Sequence, residues 1–245
     1  PRGEWAQSPP APLRRAGGAD TVELKLLSPR ALPAAGPLEE LLPAGGDAVL
    51  FVSGGGFVAD LELIAQFFLR PLAIDTAAAV FVVKYRVAPM HRFPAALNDV
   101  IAAYRALRRS FGGRLRRLYA LGDSAGGNLV TALALFLAAT GQPQPDQLLL
   151  VYPALSLSRR LFTPSLLRAF TDTLLNFAFL EQCLHAYVPS PAFTAENVFV
   201  SPLWVPDALL ARLPPALIVC GREDPLFDHS LLLAHRLHRL GRPVR

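Results

Sequence analysis

The chain has 245 residues, 52% of them hydrophobic and 18% charged, with a formal net charge of +5 and two cysteines. This length suits one domain, the apolar fraction excludes general disorder, and two cysteines in so long a chain exclude a disulfide-stapled scaffold. Lys25 and Lys84 are the only lysines, and the arginines sit in short scattered groups such as Arg108-Arg109 and Arg116-Arg117. With no long basic run, nucleic-acid motif or zinc-ligand spacing, no nucleic-acid partner is expected.

The first residue is Pro1 rather than Met, and the sequence reads as a piece of a longer chain. No charged-then-apolar leader opens it, so a cytoplasmic location is expected. Residues 1–46 mix Pro, Ala, Gly and Leu without sustained periodicity, which predicts a linker with an edge strand over residues 22–27. The domain proper is expected over residues 47–245. There, short apolar runs at 48–52, 79–83, 118–121, 148–152 and 216–220 alternate with helical patterns near 59–72, 94–110, 125–139 and 229–240. Runs that are apolar throughout suit strands buried on both faces, the mark of a parallel sheet covered by helices. The βαβ rhythm makes this an α/β fold. The longest apolar stretch, residues 129–140, is too short for a bilayer span of about 20 residues. Contact with a lipid surface stays compatible with it.

Residues 155–200 interrupt the rhythm. No strand run occurs there, and Leu166, Phe170, Leu174 and Phe177 recur at helical spacing, which predicts a helix. The segment also carries Phe162, Phe179, Phe193 and Phe199. An aromatic-rich insertion after the fourth of these strands reads as a helical cap over the carboxyl edge of the sheet, where open α/β folds keep their ligands. Most of its rings are expected to bind the cap to the body.

Two motifs carry chemistry. Gly122-Asp123-Ser124-Ala125-Gly126-Gly127 follows a strand run and opens a helix. A serine in a Gly-x-Ser-x-Gly turn sits at a strained strand-to-helix corner, and a Cβ at the flanking positions would collide with neighbouring backbone. Such a turn lifts the Ser124 hydroxyl above the sheet at a helix N-terminus, which favours developing negative charge. The second motif, Ser53-Gly54-Gly55-Gly56-Phe57, also follows a strand run. The amides of Gly55 and Gly56, with that of Ala125 after the nucleophile, are candidates for an oxyanion hole.

With these motifs the sequence resembles the hormone-sensitive-lipase-like family of α/β-hydrolases, whose members carry His-Gly-Gly-Gly ahead of Gly-Asp-Ser-Ala-Gly-Gly. Tyr85-Arg86-Val87-Ala88-Pro89, Phe93-Pro94-Ala95-Ala96, Asp224-Pro225-Leu226 and Ser201-Pro202-Leu203 extend the match over residues 47–245. The resemblance implies an α/β-hydrolase fold, a mostly parallel sheet with helices on both faces and a helical cap, whose last strand is missing here. It implies a carboxylic ester hydrolase acting through an acyl-enzyme on a small lipophilic ester such as an acylglycerol or sterol ester, with no metal or organic cofactor. Ser124 is then the nucleophile and Asp224 the acid, with Asp228 as the other candidate acid.

Two departures from the family pattern matter. Ser53 stands where the family has histidine. The family's triad histidine lies beyond the position that matches Arg245, and His91, His185, His229, His235 and His238 do not follow a strand end after Asp224. A catalytically silent ligand-binding module of the same fold is therefore the alternative reading. Oligomeric state is not legible in the sequence.

Overall fold

The computed structural model describes residues 11–14, 21–28, 45–158, 161–190 and 197–245. The linker expected within residues 1–46 falls mainly outside these residues, as do residues 159–160 and 191–196 of the insertion. The strands are β1 (Ala11–Arg14), β2 (Thr21–Leu27), β3 (Gly46–Val52), β4 (Ala79–Lys84), β5 (Leu115–Asp123), β6 (Gln147–Val151) and β7 (Ala216–Val219). They form one sheet in the order β1-β2-β4-β3-β5-β6-β7. β1 and β2, and β2 and β4, pair antiparallel, and the remaining neighbours pair parallel. β2 lies one strand in from the edge rather than at it, because β1 pairs along its outer side.

Helices α1 (Glu62–Thr76), α2 (Ala95–Phe111), α3 (Ala125–Ala139), α4 (Phe177–Tyr187), the short α5 (Asp207–Leu210) and α6 (Phe227–Arg239) surround the sheet. On one face, Ala65, Leu69 and Ala73 of α1 join Val49, Phe51, Val80 and Val82 in a core cluster. On the other, Leu97, Val100, Leu129, Leu133, Leu233 and Leu237 pack with Ala48, Leu50 and Val52. The alternate residues of β3 therefore enter opposite cores, which is why its sequence shows no polar face. α3 is buried at every position except Phe136 and Ala139, and each buried leucine contributes about 1.5–3 kcal/mol. Its polar Asn128 donates from Nδ2 to the Ala154 carbonyl at 2.7 Å and the Val200 carbonyl at 2.9 Å, while its Oδ1 has no hydrogen-bond partner among the described residues. No helix among the described residues is long and apolar enough to cross a membrane.

A second expectation needs correction. The Leu166–Phe177 spacing does not mark one helix: a 3₁₀ helix spans Pro164–Phe170, and α4 starts afresh at Phe177. Between them the Asp172 carboxylate accepts the Leu174 amide at 2.8 Å and the Leu175 amide at 2.6 Å. The Asn176 side chain accepts the Phe179 amide at 2.9 Å. These side-chain acceptors stop one helix and cap the next, overriding the apolar period. Among the described residues no strand follows β7, yet its outer edge is partly paired. Val244 bridges Ala216 in parallel. The Ile218 amide donates to the Arg245 carbonyl at 2.8 Å and the Arg245 amide to the Ala216 carbonyl at 3.1 Å, so part of an eighth position in the sheet is filled.

Register brings the site together. Val52 pairs with Gly122, Asp123 with Val151, and Val151 with Val219. The carboxyl ends of β3, β5, β6 and β7 thus lie side by side, and the loops leaving them share one rim.

Candidate active site

The turn after β5 holds Ser124 at φ 52°, ψ −118°, a conformation that costs a residue with a Cβ about 1–3 kcal/mol. Its surroundings enforce it. The Ser124 amide donates to the Val151 carbonyl at 2.9 Å, and its carbonyl accepts the amides of Ala154 at 3.0 Å and Asn128 at 3.1 Å. The flanking glycines are needed for close approach: a Cβ on Gly122 would lie 2.4 Å from the Gly126 carbonyl oxygen, and one on Gly126 would lie 1.9 Å from that of Val52. The serine is thereby clamped between the ends of β3 and β6 with α3 starting at the next residue.

The glycine loop after β3 is equally constrained. Gly55, Gly56 and Phe57 have φ of 116°, 61° and 66°, and the Gly55 carbonyl accepts the amides of Val58 and Ala59, each at 3.0 Å. The Gly54 amide donates to Asp123 Oδ1 at 3.0 Å, and the Tyr85 hydroxyl donates to the Ser53 carbonyl at 2.9 Å. Ser53 is buried at the base of the loop. Gly54 is committed to Asp123, whereas the amides of Gly55, Gly56 and Ala125 have no acceptor among the described residues. Three unengaged amides on the two loops flanking one serine are the donor set that an oxyanion requires.

Asp224 lies in the loop after β7. Its amide donates to the Gly221 carbonyl at 3.2 Å, and its Oδ1 accepts the Leu226 amide at 2.7 Å. Burial pushes its carboxyl above the ordinary range, partly opposed by that amide. Asp123 is raised for the same reason, with the Gly54 amide opposing. Tyr152, immediately past β6, connects the two carboxyls: its phenol is pushed up first by burial, then by Asp123 and Asp224. The turn at Ser124 and the Asp224 loop therefore share one electrostatic neighbourhood. Asp228 is engaged elsewhere, accepting the Ser165 amide at 2.7 Å and donating its own amide to Ser165 Oγ at 3.1 Å. It anchors the cap.

Of the histidines, His91, His185, His235 and His238 are exposed. His229 is 3% exposed and borders a cavity of about 200 Å³ between the cap and the start of α6. Burial lowers its imidazole to about 4, with Asp228 opposing. The cavity is walled mainly by Leu157, Leu161, Phe162, Leu166, Phe177, Leu180, Leu184 and Leu226, and it reaches Ala154, whose amide bonds the Ser124 carbonyl. Phe170 is 61% exposed and stacks behind Phe177 with centroids 5.0 Å apart. Among the described residues no group of three or more His, Cys, Asp or Glu is placed to hold a metal ion. The sequence reading missed Tyr85, Tyr152 and Tyr187, which support the loops. Tyr85 lay within a quoted motif, but nothing in its neighbourhood signalled the carbonyl it reaches.

A seven-stranded sheet, a serine at a strained strand-to-helix turn and a glycine loop beside it define an α/β hydrolase. Residues 49–245 match the family described as the alpha/beta hydrolase fold, and the chain belongs to that family, on its hormone-sensitive-lipase-like side. It is 34% identical to ethyl acetate hydrolase of Pseudomonas putida over 204 residues, 82% of this chain and 63% of that protein. It is 34% identical to hormone-sensitive lipase of Homo sapiens over 154 residues, 62% of this chain and 14% of that protein. Among solved structures, the Pyrobaculum calidifontis esterase superposes with a TM-score of 0.85 at 26% identity, over 100% of this chain and 75% of that one. The chain thus spans less than two thirds of these two sequence relatives.

Proposed function

We propose that the protein is a serine carboxylic ester hydrolase that acts on lipophilic esters through an acyl-enzyme. The observation that carries this reading is Ser124 at φ 52° beside the unengaged amides of Gly55, Gly56 and Ala125. In this reading the Ser124 oxygen attacks the ester carbonyl carbon and the three amides receive the oxyanion. The serine proton passes through a histidine base to the departing alkoxide, breaking the carbon–oxygen bond. Water then attacks the acyl-enzyme, releases the acid and restores the hydroxyl. Asp224 orients the base, which the family resemblance sets beyond the position matching Arg245. Its raised carboxyl suits a partly buried acid that gains from a cationic neighbour.

The apolar cavity under the cap supports a lipophilic acyl or alcohol group. The exposed Leu167, Phe170 and Leu174 of the same insertion support entry from a lipid–water interface. The test is to treat the protein, in a form extended past Arg245 through the family's histidine position, with a nitrophenyl alkylphosphonate, map the adduct by mass spectrometry, and assay nitrophenyl esters with and without Ser124→Ala. Adduct and turnover that both disappear in the variant are expected. Labelling of another serine overturns the assignment. Saturable ester binding without turnover favours the ligand-binding module.

A further inference from the structure

Tyr187, the last residue of α4, is fully buried. Its ring lies parallel to that of Phe57, with centroids 3.9 Å and planes 7° apart. Phe57 closes the left-handed run that begins at Gly55, at φ 66°, and a phenylalanine keeps that conformation only where its surroundings enforce it. Two contacts do so: its carbonyl accepts the Ala88 amide at 2.8 Å, and its ring is covered by Tyr187. Tyr187 is itself held. The Phe93 ring meets it edge-on with centroids 5.9 Å apart, and its carbonyl accepts the Phe93 amide at 2.9 Å. One turn earlier on α4, Cys183 packs against Gly56, where an added Cβ would stand 2.3 Å from Sγ. The cap helix therefore touches two successive residues of the glycine loop. The Tyr187 hydroxyl has no hydrogen-bond partner among the described residues, so the ring, not the hydroxyl, makes the contact.

We propose that Tyr187 is a positioning residue for the oxyanion hole. By stacking on Phe57 it fixes the left-handed run and keeps the amides of Gly55 and Gly56 turned toward the ester carbonyl. This couples the cap to the donors. Ser53 stands where the family has histidine, and the stack holds the loop from its other end. The catalytic part rests on the hydrolase reading; the holding of the loop does not.

Two readouts separate these parts. In the first, Tyr187→Leu is expected to lower kcat on a nitrophenyl ester about tenfold with KM within about twofold, because misplaced donors are lost chiefly in the transition state. Binding of a trifluoromethyl ketone, whose adduct carries the oxyanion, is expected to weaken by the same factor, and Tyr187→Phe to restore both. In the second, hydrogen exchange of the Val58 and Ala59 amides is expected to accelerate in Tyr187→Leu while that of α3 stays unchanged. Unaltered loop exchange overturns the proposal, and so does equal acceleration in α3, which would make Tyr187 an ordinary core residue. If Tyr187→Leu does not fold, Phe57→Leu removes the same stack and is read in the same way. If the protein extended through the family's histidine position turns over no ester with Tyr187 intact, the hydrolase reading fails, and loop exchange still decides whether Tyr187 holds the loop.

Discussion

The Gly54 amide donates to Asp123 Oδ1 at 3.0 Å, across 69 residues of sequence, and so ties the glycine loop to the turn that carries Ser124. A Cβ on Gly54 would lie 2.6 Å from the other carboxylate oxygen, so the two loops approach this closely only because one position is glycine. Burial raises the Asp123 carboxyl and the Gly54 amide opposes the rise, so the contact can be tested as an acceptor apart from its charge. Asp123→Asn, which keeps an oxygen there, is expected to retain kcat within a few-fold. Asp123→Ala is expected to lose about tenfold or more, because the donors lose their register with the serine. Steady-state kinetics on one nitrophenyl ester compares the two, and equal losses would make charge the relevant quantity.

The two candidate acids separate by mutation. Asp224→Asn is expected to lower kcat on the order of 10⁴-fold, the cost of a base held in the wrong tautomer. Asp228→Asn weakens the contact with Ser165 and is expected to lower the melting temperature while leaving kcat within about threefold. A larger kcat loss in the second variant would exchange the roles.

Gly126→Ala tests the elbow without chemistry. The new methyl would stand 1.9 Å from the Val52 carbonyl oxygen, a backbone atom that cannot swing away. Destabilisation of about 3 kcal/mol or more is expected from urea unfolding, at the upper end of overpacking costs. An unchanged unfolding midpoint would mean that α3 can move off β3.

The cap rings divide into two kinds. Phe177 borders the cavity, whereas Phe170 stacks behind it. Phe177→Ala is expected to shift the kcat/KM ratio between short and long acyl esters by about 1–3 kcal/mol of discrimination. Phe170→Ala is expected to change it little. Equal losses on all chain lengths for Phe177→Ala would reduce that ring to a structural role.

His229 predicts a stability change with pH. Burial lowers its folded pKa from 6.5 to about 4, so protonation is easier in the unfolded chain. The resulting stability is fully present above pH 6.5 and is lost as pH falls through about 4, amounting to at most about 3 kcal/mol. His229→Asn is expected to flatten that loss when urea unfolding is compared at pH 7 and pH 4. Parallel slopes in the two proteins would mean that the imidazole titrates normally.

Much of this molecule is legible in one dimension. The apolar runs mark β3 to β7 because a strand buried on both faces leaves no polar alternation to confuse the reading. The helix expected over 125–139 is α3 with those bounds. The serine turn is written locally, since glycine spacing and strand-to-helix context lie within a few residues of Ser124. The cap was harder. The spacing from Leu166 to Phe177 matched a helix, but Asp172 and Asn176 end one element and start another by binding backbone amides, a local competition that an apolar period does not register.

By itself, then, the sequence determined the fold class, strands β2 to β7, the serine turn and the glycine loop, each encoded by neighbours within one element or turn. Only the tertiary structure decided the rest. It set β1 outside β2, bound Asp228 to Ser165 while leaving Asp224 in the loop after β7, formed the cavity beside His229, and laid Tyr187 on Phe57. Each of these depends on which distant segments the sheet order makes adjacent. Such contacts are favourable only after that order exists, because aromatic stacking and burial are nearly indifferent to sequence separation.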